Sequence, residues 1–283
     1  MTDLHLHSTA SDGYLSPGDL MRYVKESGVK LCALTDHDTM DGIAEASEVA
    51  IQIGIRCISG IELSCLSDDK SVHLLGYFNC IAPATLMKEL VEIQKWRAKR
   101  NPKMLDKLQE LGISISMNEV KQEANGGQIG RPHIARAMIK KGVVRNLDEA
   151  FEKYLGNGKP AYIEKDRLSL HDAVTLVHNS GGIAILAHPM VYNFVNHSTV
   201  GLLCDAAVKA GVDGIEAYYT EHKKADRKRI EHLTKRAGLL VTGGSDFHGP
   251  TTGFVQPGRG YGDLALPEEY ITEFLAKIAA LPN

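Results

Sequence analysis

Short apolar runs of strand length recur along the chain: DLHLH, KLCALTDHD, IRCISGIEL, SVHLLGYF, GGIAILAHP, GVDGIEAYY and GLLVTGGSDFHG. Helical stretches lie between or before most of them. LSPGDLMRYVKESG carries Ser16 as N-cap, Pro17 at the first helical position and Gly28 past the end. MDGIAEASEVAIQIG, SLHDAVTLVHNSG and HKKADRKRIEHLTKRAG read as further helices. Strands mostly spaced by helices predict an α/β barrel, with a doubly wound sheet as the alternative on pattern alone.

From about Leu86 to Tyr162 the rhythm breaks into helices with no clear strand. Ser116 and Glu119 form a capping-box pattern before MNEVKQEAN, and Asn146 caps NLDEAFEKYLG. RPHIARAMIKKG has Pro132 near its start and Gly142 after its end. The expected organisation is a barrel from residues 1–98 and 163–283 with a helical insertion at 99–162. Within WRAKRNPKML, Pro102 is expected to interrupt a continuous helix, because proline has no amide hydrogen to donate. That leaves Arg97 and Arg100 without an assured position.

Composition narrows the class. The chain has 283 residues, 43% hydrophobic and 24% charged, enough for a large core. A net charge of −3 supplies no overall basic field for long duplex nucleic acid and leaves nucleotides and short oligomers open. Cys32, Cys57, Cys65, Cys80 and Cys204 are odd in number and form no CxxC pair, so they read as thiols in a reducing compartment. The polar start MTDLHLH shows no signal peptide, and the longest apolar run, IAILA, is too short to span a bilayer. A cytoplasmic enzyme, with no membrane association and no obligate protein partner, is the expectation.

The candidate chemistry lies near the strand ends. His5 and His7 are two apart on one strand, so they face the same way. The following runs add His37 in TDHD, Glu62 in GIEL, His73 in SVHLL, His188 in AHP, and Asp246 with His248 in GGSDFHG. With Asp12 these make nine imidazoles and carboxylates. Alone, each has an ordinary reading: a core histidine, a turn residue, a surface acid. Their shared placement carries the argument, because barrels build their active sites at strand ends. Nitrogen and oxygen donors without thiolate suit Zn, Mn or Fe, and nine are enough for two or three ions. His171, His178, His197 and His232 have no matching partners; His222, in YYTEHKK, could line the cup.

The motifs DLHLHSTASDG, TDHD, GIEL, VHLLGY, AHP and GGSDFHG resemble those of the PHP (polymerase and histidinol phosphatase) superfamily over nearly the whole chain. The middle piece, from GRPHIARAMIKKG to YLGNGKPAY, resembles the insertion of a bacterial branch of 3′,5′-nucleoside bisphosphate phosphatases and 5′→3′ exoribonucleases. The resemblance implies a distorted (β/α)7 barrel with a small helical insertion and two or three divalent ions, most often Mn(2+). It implies that His5, His7, Glu62 and Asp246 hold one ion, that Glu62 bridges to a second completed by His73 and His188, and that Asp12, His37 and His248 hold a third.

Such ions lower the pKa of water and draw charge from phosphoryl oxygens. Asp246 then counts among the catalytic residues as well as the ligands. The departing oxygen needs a proton, from His222 or from water at the metals. Arg131 and His133 open a helix, and an arginine there grips phosphate with paired hydrogen bonds. By itself Arg131 reads equally well as a surface ion pair; with the resemblance it reads as a clamp on a remote 5′-phosphate, with Arg100 as a further contact. The implied activity is removal of the 3′-phosphate from nucleoside 3′,5′-bisphosphates, or of 5′-mononucleotides from short 5′-phosphorylated RNA. Rivals are a histidinol-phosphate-type phosphatase, against which the GRPH insertion argues, and a non-catalytic nucleotide-binding module, against which the full ligand set argues.

Overall fold

The computed structural model describes residues 1–163, 168–192, 195–196, 198–250 and 254–282. His197 therefore lies outside the described residues. The strands are β1 (Thr2–Leu6), β2 (Leu31–Leu34), β3 (Arg56–Ser67), β4 (Lys70–Phe78), β5 (Ile183–Leu186), β6 (Gly214–Tyr219) and β7 (Leu240–Gly244). They pair in chain order as one sheet. Every apolar run identified in the sequence holds one of them. β1, β2 and β5 are buried on both faces, as strands covered by helices must be.

The sheet closes on itself at a seam between β1 and β7. There the His7 amide donates to the Phe247 carbonyl at 3.0 Å, and the Asp246 amide donates to the His5 carbonyl at 2.9 Å. Gly244 permits the approach: a Cβ on it would sit 2.3 Å from the His5 Cβ. Asp3 ties the seam, accepting from the Ser245 amide at 2.9 Å and its hydroxyl at 2.6 Å.

One strand runs against the others. β1, β2 and β3 are mutually parallel, as are β5, β6 and β7, while β4 is antiparallel to both β3 and β5. Asp68 and Asp69, at φ of 47° and 60°, turn β3 back into β4. The start of β4 therefore lies level with the finishing ends of its neighbours. His73, early in β4, pairs with Ser64 near the end of β3 and reaches the same rim as the other candidate ligands.

The helices are α1 (Pro17–Glu26), α2 (Ile43–Ile53), α3 (Ala84–Glu110), α4 (Met117–Ala124), α5 (Arg131–Lys140), α6 (Leu147–Ala150), α7 (Leu170–Asn179), α8 (Val200–Ala210), α9 (Lys224–Ala237) and α10 (Glu268–Ala279). One π-helical turn, Phe151–Leu155, follows α6. Ser16, Ser116 and Asn146 cap α1, α4 and α6 as their sequences predict. Among the described residues no helix is long and apolar enough to cross a membrane.

Pro102 does not interrupt its helix. α3 runs unbroken for 27 residues with Pro102 inside it. Both Pro102 and Ala98, whose carbonyl loses its helical partner, are exposed, so the freed oxygen is open to solvent. Leu86 and Leu90 of α3 pack into the main core beside the barrel. Met104, Leu105 and Leu108, further along, pack into a second core with Val120, Ile134, Met138 and Leu155. α3 is thus one rod rooted in both, which fixes Arg97 and Arg100 between them.

Candidate metal centre

Glu62 is the hub. Its carboxylate is buried in β3 and has five imidazoles around it. His37 Nδ1 lies 3.0 Å away, His7 Nε2 3.2 Å and His5 Nε2 3.3 Å from Oε2, while His73 Nδ1 is 2.7 Å and His188 Nε2 2.9 Å from Oε1. Asp246 Oδ1 stands 2.9 Å from His7 Nε2. On the far side His248 Nε2 is 3.3 Å from Asp12 Oδ1.

Three groups have donor atoms close enough to share a cation: His5, His7, Glu62 and Asp246; His37, Glu62 and His73; and His7, Asp12, His37 and His248. The first coincides with the set implied by the resemblance. The third adds His7 to its set. In the second, His37 stands with Glu62 and His73, while His188 approaches the same Glu62 oxygen, Oε1, as His73 does.

The donor atoms have few other partners. His5 Nε2, both nitrogens of His7, His37 Nδ1, Glu62 Oε2 and Asp246 Oδ1 are buried without a hydrogen bond. Orphaned polar atoms are costly, and here they converge on common points. Burial opposes a charge on His7, but Asp246 and Glu62 outweigh it and raise the ring to about 10. Burial also opposes a charge on Glu62, yet His37, His73 and His5 hold its carboxyl well below the usual range. A field that favours protons at these nitrogens favours cations between them, and the cluster fits divalent metals.

Several acids that sequence reasoning did not assign support the cup. Glu216, buried on β6, accepts from His5 Nδ1 at 3.1 Å and from the His188 amide at 2.9 Å. It fixes the His5 tautomer with Nε2 facing Glu62, as carboxylates behind metal-bound histidines do. The Asp246 carbonyl does the same for His248 Nδ1 at 2.9 Å. Asp36 accepts from the Ser8 amide and hydroxyl and from the Ser11 hydroxyl, bracing the loop that carries Asp12. Asp38 pairs with Arg97. A signal for Glu216 was present: GIE occurs in both β3 and β6. Replacing Glu216 with Ala is expected to weaken metal affinity roughly 10- to 100-fold, with Gln retaining most of it. Metal titration of both variants checks this.

Strain is concentrated here too. Asp38, His188 and Asp246 take φ of 50°, 25° and 56°, a region costly for residues other than glycine.

A cavity of about 160 Å³ opens beside the cup. Asp12, His37 and His73 form one wall; Arg97, Arg100 and Arg131 stand on the others. Arg131 lies over the Phe151 and Tyr162 rings and donates to the Leu155 carbonyl at 3.3 Å. Arg100 stacks on Trp96 and bonds the Asn101 side chain.

Two expected contacts sit differently. His133 lies behind the cavity lining, its Nδ1 accepting from the Gly130 amide at 2.9 Å, and burial lowers it to about 4. It holds the GRPH turn as a neutral ring. His222 gives Nδ1–H to the Ala217 carbonyl at 2.9 Å, faces the Met190 amide with Nε2 at 3.4 Å, and is lowered by burial to about 4. With both nitrogens engaged and the ring neutral, it is poorly placed to protonate a departing oxygen.

The chain is similar to known proteins over most of its length. A 5′-3′ exoribonuclease of Haemophilus influenzae is 37% identical over 91% of this chain and 93% of its own. A 3′,5′-nucleoside bisphosphate phosphatase of Chromobacterium violaceum is 34% identical over 89% and 88%. Among solved structures, an amidohydrolase from Chromobacterium violaceum, with bound sulfate and no metal, superposes with a TM-score of 0.86 at 31% identity, covering 98% of this chain and 96% of that one. Residues 3–164 match the PHP domain; on that match and those full-length likenesses, the chain belongs to the PHP domain family.

Proposed function

We propose that this protein is a metal-dependent phosphoesterase acting on nucleotides that carry a 5′-phosphate. It releases the 3′-phosphate of nucleoside 3′,5′-bisphosphates and removes 5′-mononucleotides from short 5′-phosphorylated RNA. The observation that carries this reading is the shared cavity: three of the candidate ligands, Asp12, His37 and His73, and three arginines line one space. The names of the two curated relatives point the same way.

Bound at the cup, two or three divalent ions would activate water and neutralise charge on the reacting phosphoryl group. His5, His7, Glu62 and Asp246 would hold one, His73 and His188 with Glu62 a second, and Asp12, His37 and His248 a third. The donor set admits Mn, Fe or Zn; Mn(2+) is our assignment, on the family resemblance. Residues 99–162 act as the substrate cap, with Arg131 as clamp. Arg97, fixed by Asp38, and Arg100, fixed by Asn101, extend the basic wall. A 5′-phosphate held there leaves the phosphorus on O3′ at the cup. Inorganic phosphate or the rest of an RNA chain departs from the same position, so one geometry serves both reactions. The free cysteines fit a reducing, cytoplasmic setting.

The test is incubation of purified protein with adenosine 3′,5′-bisphosphate and with a 5′-phosphorylated RNA, with Mn(2+) and with chelator. Expected products are phosphate and AMP from the first and 5′-mononucleotides from the second, both abolished by chelation. Elemental analysis of protein produced with Mn(2+) should find two to three ions per chain. Full activity with one ion or fewer would exclude the multinuclear assignment.

A further inference from the structure

A second cavity, of about 220 Å³, opens on the other side of the cup. Asp12, Asp246 and His248 form its inner wall, and Arg136, Tyr219 and Tyr261 line it further out. Asp12 and Pro132 border both cavities, so the candidate metal ligands stand between the two. If the 5′-phosphate lies among the arginines of the first, whatever leaves O3′ emerges into the second.

We propose that this second cavity and the surface beyond it bind the RNA strand downstream of the cleaved bond. The proposal rests on the exonuclease reading above and names the site that makes RNA, as distinct from a mononucleotide, a substrate.

Three observations support a nucleic-acid occupant. Arg136 is nine-tenths buried, stacks 3.9 Å over the Tyr14 ring and donates through Nη2 to the Asp12 carbonyl, while its Nε has no partner. Arg136 thereby puts a guanidinium, with one N–H unspent, in the lining on the leaving side, and a guanidinium suits a backbone phosphate. Next, Tyr261 is 58% exposed at the mouth and also lines an adjoining cavity with Phe254, which is 88% exposed. Scattered apolar side chains at a surface are ordinary, but these two follow one path out of the cup.

Last, the loop presenting them is braced. Gly258 N–H donates to Asp3 at 2.7 Å, Gln256 and Gly260 exchange backbone bonds at 2.9 and 2.8 Å, and Arg227 holds the Asp263 carbonyl at 2.9 Å. The bracing runs through the backbone from Gln256 to Asp263 beside the two rings, and exposed aromatic faces stack bases of any identity. Glu221, at the rim, offers an acceptor for ribose hydroxyls or base amino groups.

The experiment uses the metal-loaded full chain and the double variant Tyr261→Ala/Phe254→Ala, neither residue being a ligand. With 5′-phosphorylated RNA hexamers, kcat/KM should fall roughly 10- to 100-fold, the loss of stacked bases. With adenosine 3′,5′-bisphosphate, which ends at the cup, it should stay within about twofold, against the tenfold that a lost stack costs. Binding of a fluorescent phosphorothioate RNA hexamer, read by anisotropy, should weaken in parallel. An equal loss on both substrates, or unchanged binding of the hexamer, overturns the proposal. If the wild-type protein hydrolyses neither substrate, the phosphoesterase reading fails by itself, and the anisotropy comparison still decides the groove.

Discussion

Glu62→Gln is expected to keep the fold and lose about 10³-fold or more of kcat, the largest effect of any single change in the cup. The carboxylate has five imidazoles within 3.3 Å, and two of the candidate cation groups share it. Gln preserves the volume and the β3 backbone but removes the charge that both groups need, and presents an amide N–H where a lone pair stood. Losing shared metal stabilisation of the reacting phosphoryl group costs several kcal/mol, and each 1.4 kcal/mol or so is tenfold in rate. The control is His248→Gln. His248 belongs only to the Asp12 group, so its loss should lower metal content by at most one ion and leave the Glu62 groups loaded. His37 is a poor control, because it stands in two groups. Circular dichroism, elemental analysis and turnover on adenosine 3′,5′-bisphosphate decide the matter. A Glu62→Gln enzyme retaining most of its rate would show that no ion depends on the bridge.

The second large effect concerns Arg131. Arg131→Met keeps a long apolar stem against Phe151 and Tyr162 while deleting the guanidinium. Hydrogen bonds from a charged donor contribute about 1.5–3 kcal/mol each, so kcat/KM should fall on the order of 10- to 100-fold for substrates with a 5′-phosphate. For a nucleoside 3′-monophosphate the clamp is empty in both enzymes, and the loss should nearly vanish. Metal content should not change. An equal loss on the two substrates would place Arg131 at the reacting phosphate or in folding, and the remote clamp would have to be abandoned.

The barrel was legible because its strands are apolar runs set between helix signals, and local signals survive into the structure: Ser16, Ser116 and Asn146 all cap as read. What the sequence concealed depends on pairing. Nothing local says that β4 runs backwards; the direction is set by the two-residue turn at Asp68 and Asp69 and by β5 docking on its other edge. His73 would otherwise lie low in the barrel. α8 and α10 were not read, and α10 packs Phe274 against Tyr77 in a partnership invisible along the chain. Pro102 misled because exposure, which sequence does not show, decides what a proline costs. The candidate ligands were visible as residue types at strand ends. Glu216, Asp36 and Asp38 were passed over because an acid that orients a ligand looks like any other acid until its partner is in place. His133 and His222 show the converse: both are buried, with a ring nitrogen bonded to the backbone, which their sequence neighbours do not reveal.

The seam between β1 and β7 sets an order of events during synthesis. Asp3 and Ser245, which join across it, are 242 residues apart in the chain. His5 and His7 leave the ribosome first among the candidate ligands; Asp246 and His248 leave last. Closing so long a loop carries an entropic cost that grows only slowly with length, by about 0.6 kcal/mol per doubling, but pairings this distant slow folding. The cup therefore cannot close until the seventh strand has been made. Half-made chains carry the imidazoles of the first strands with no carboxylate from the seventh to complete the set.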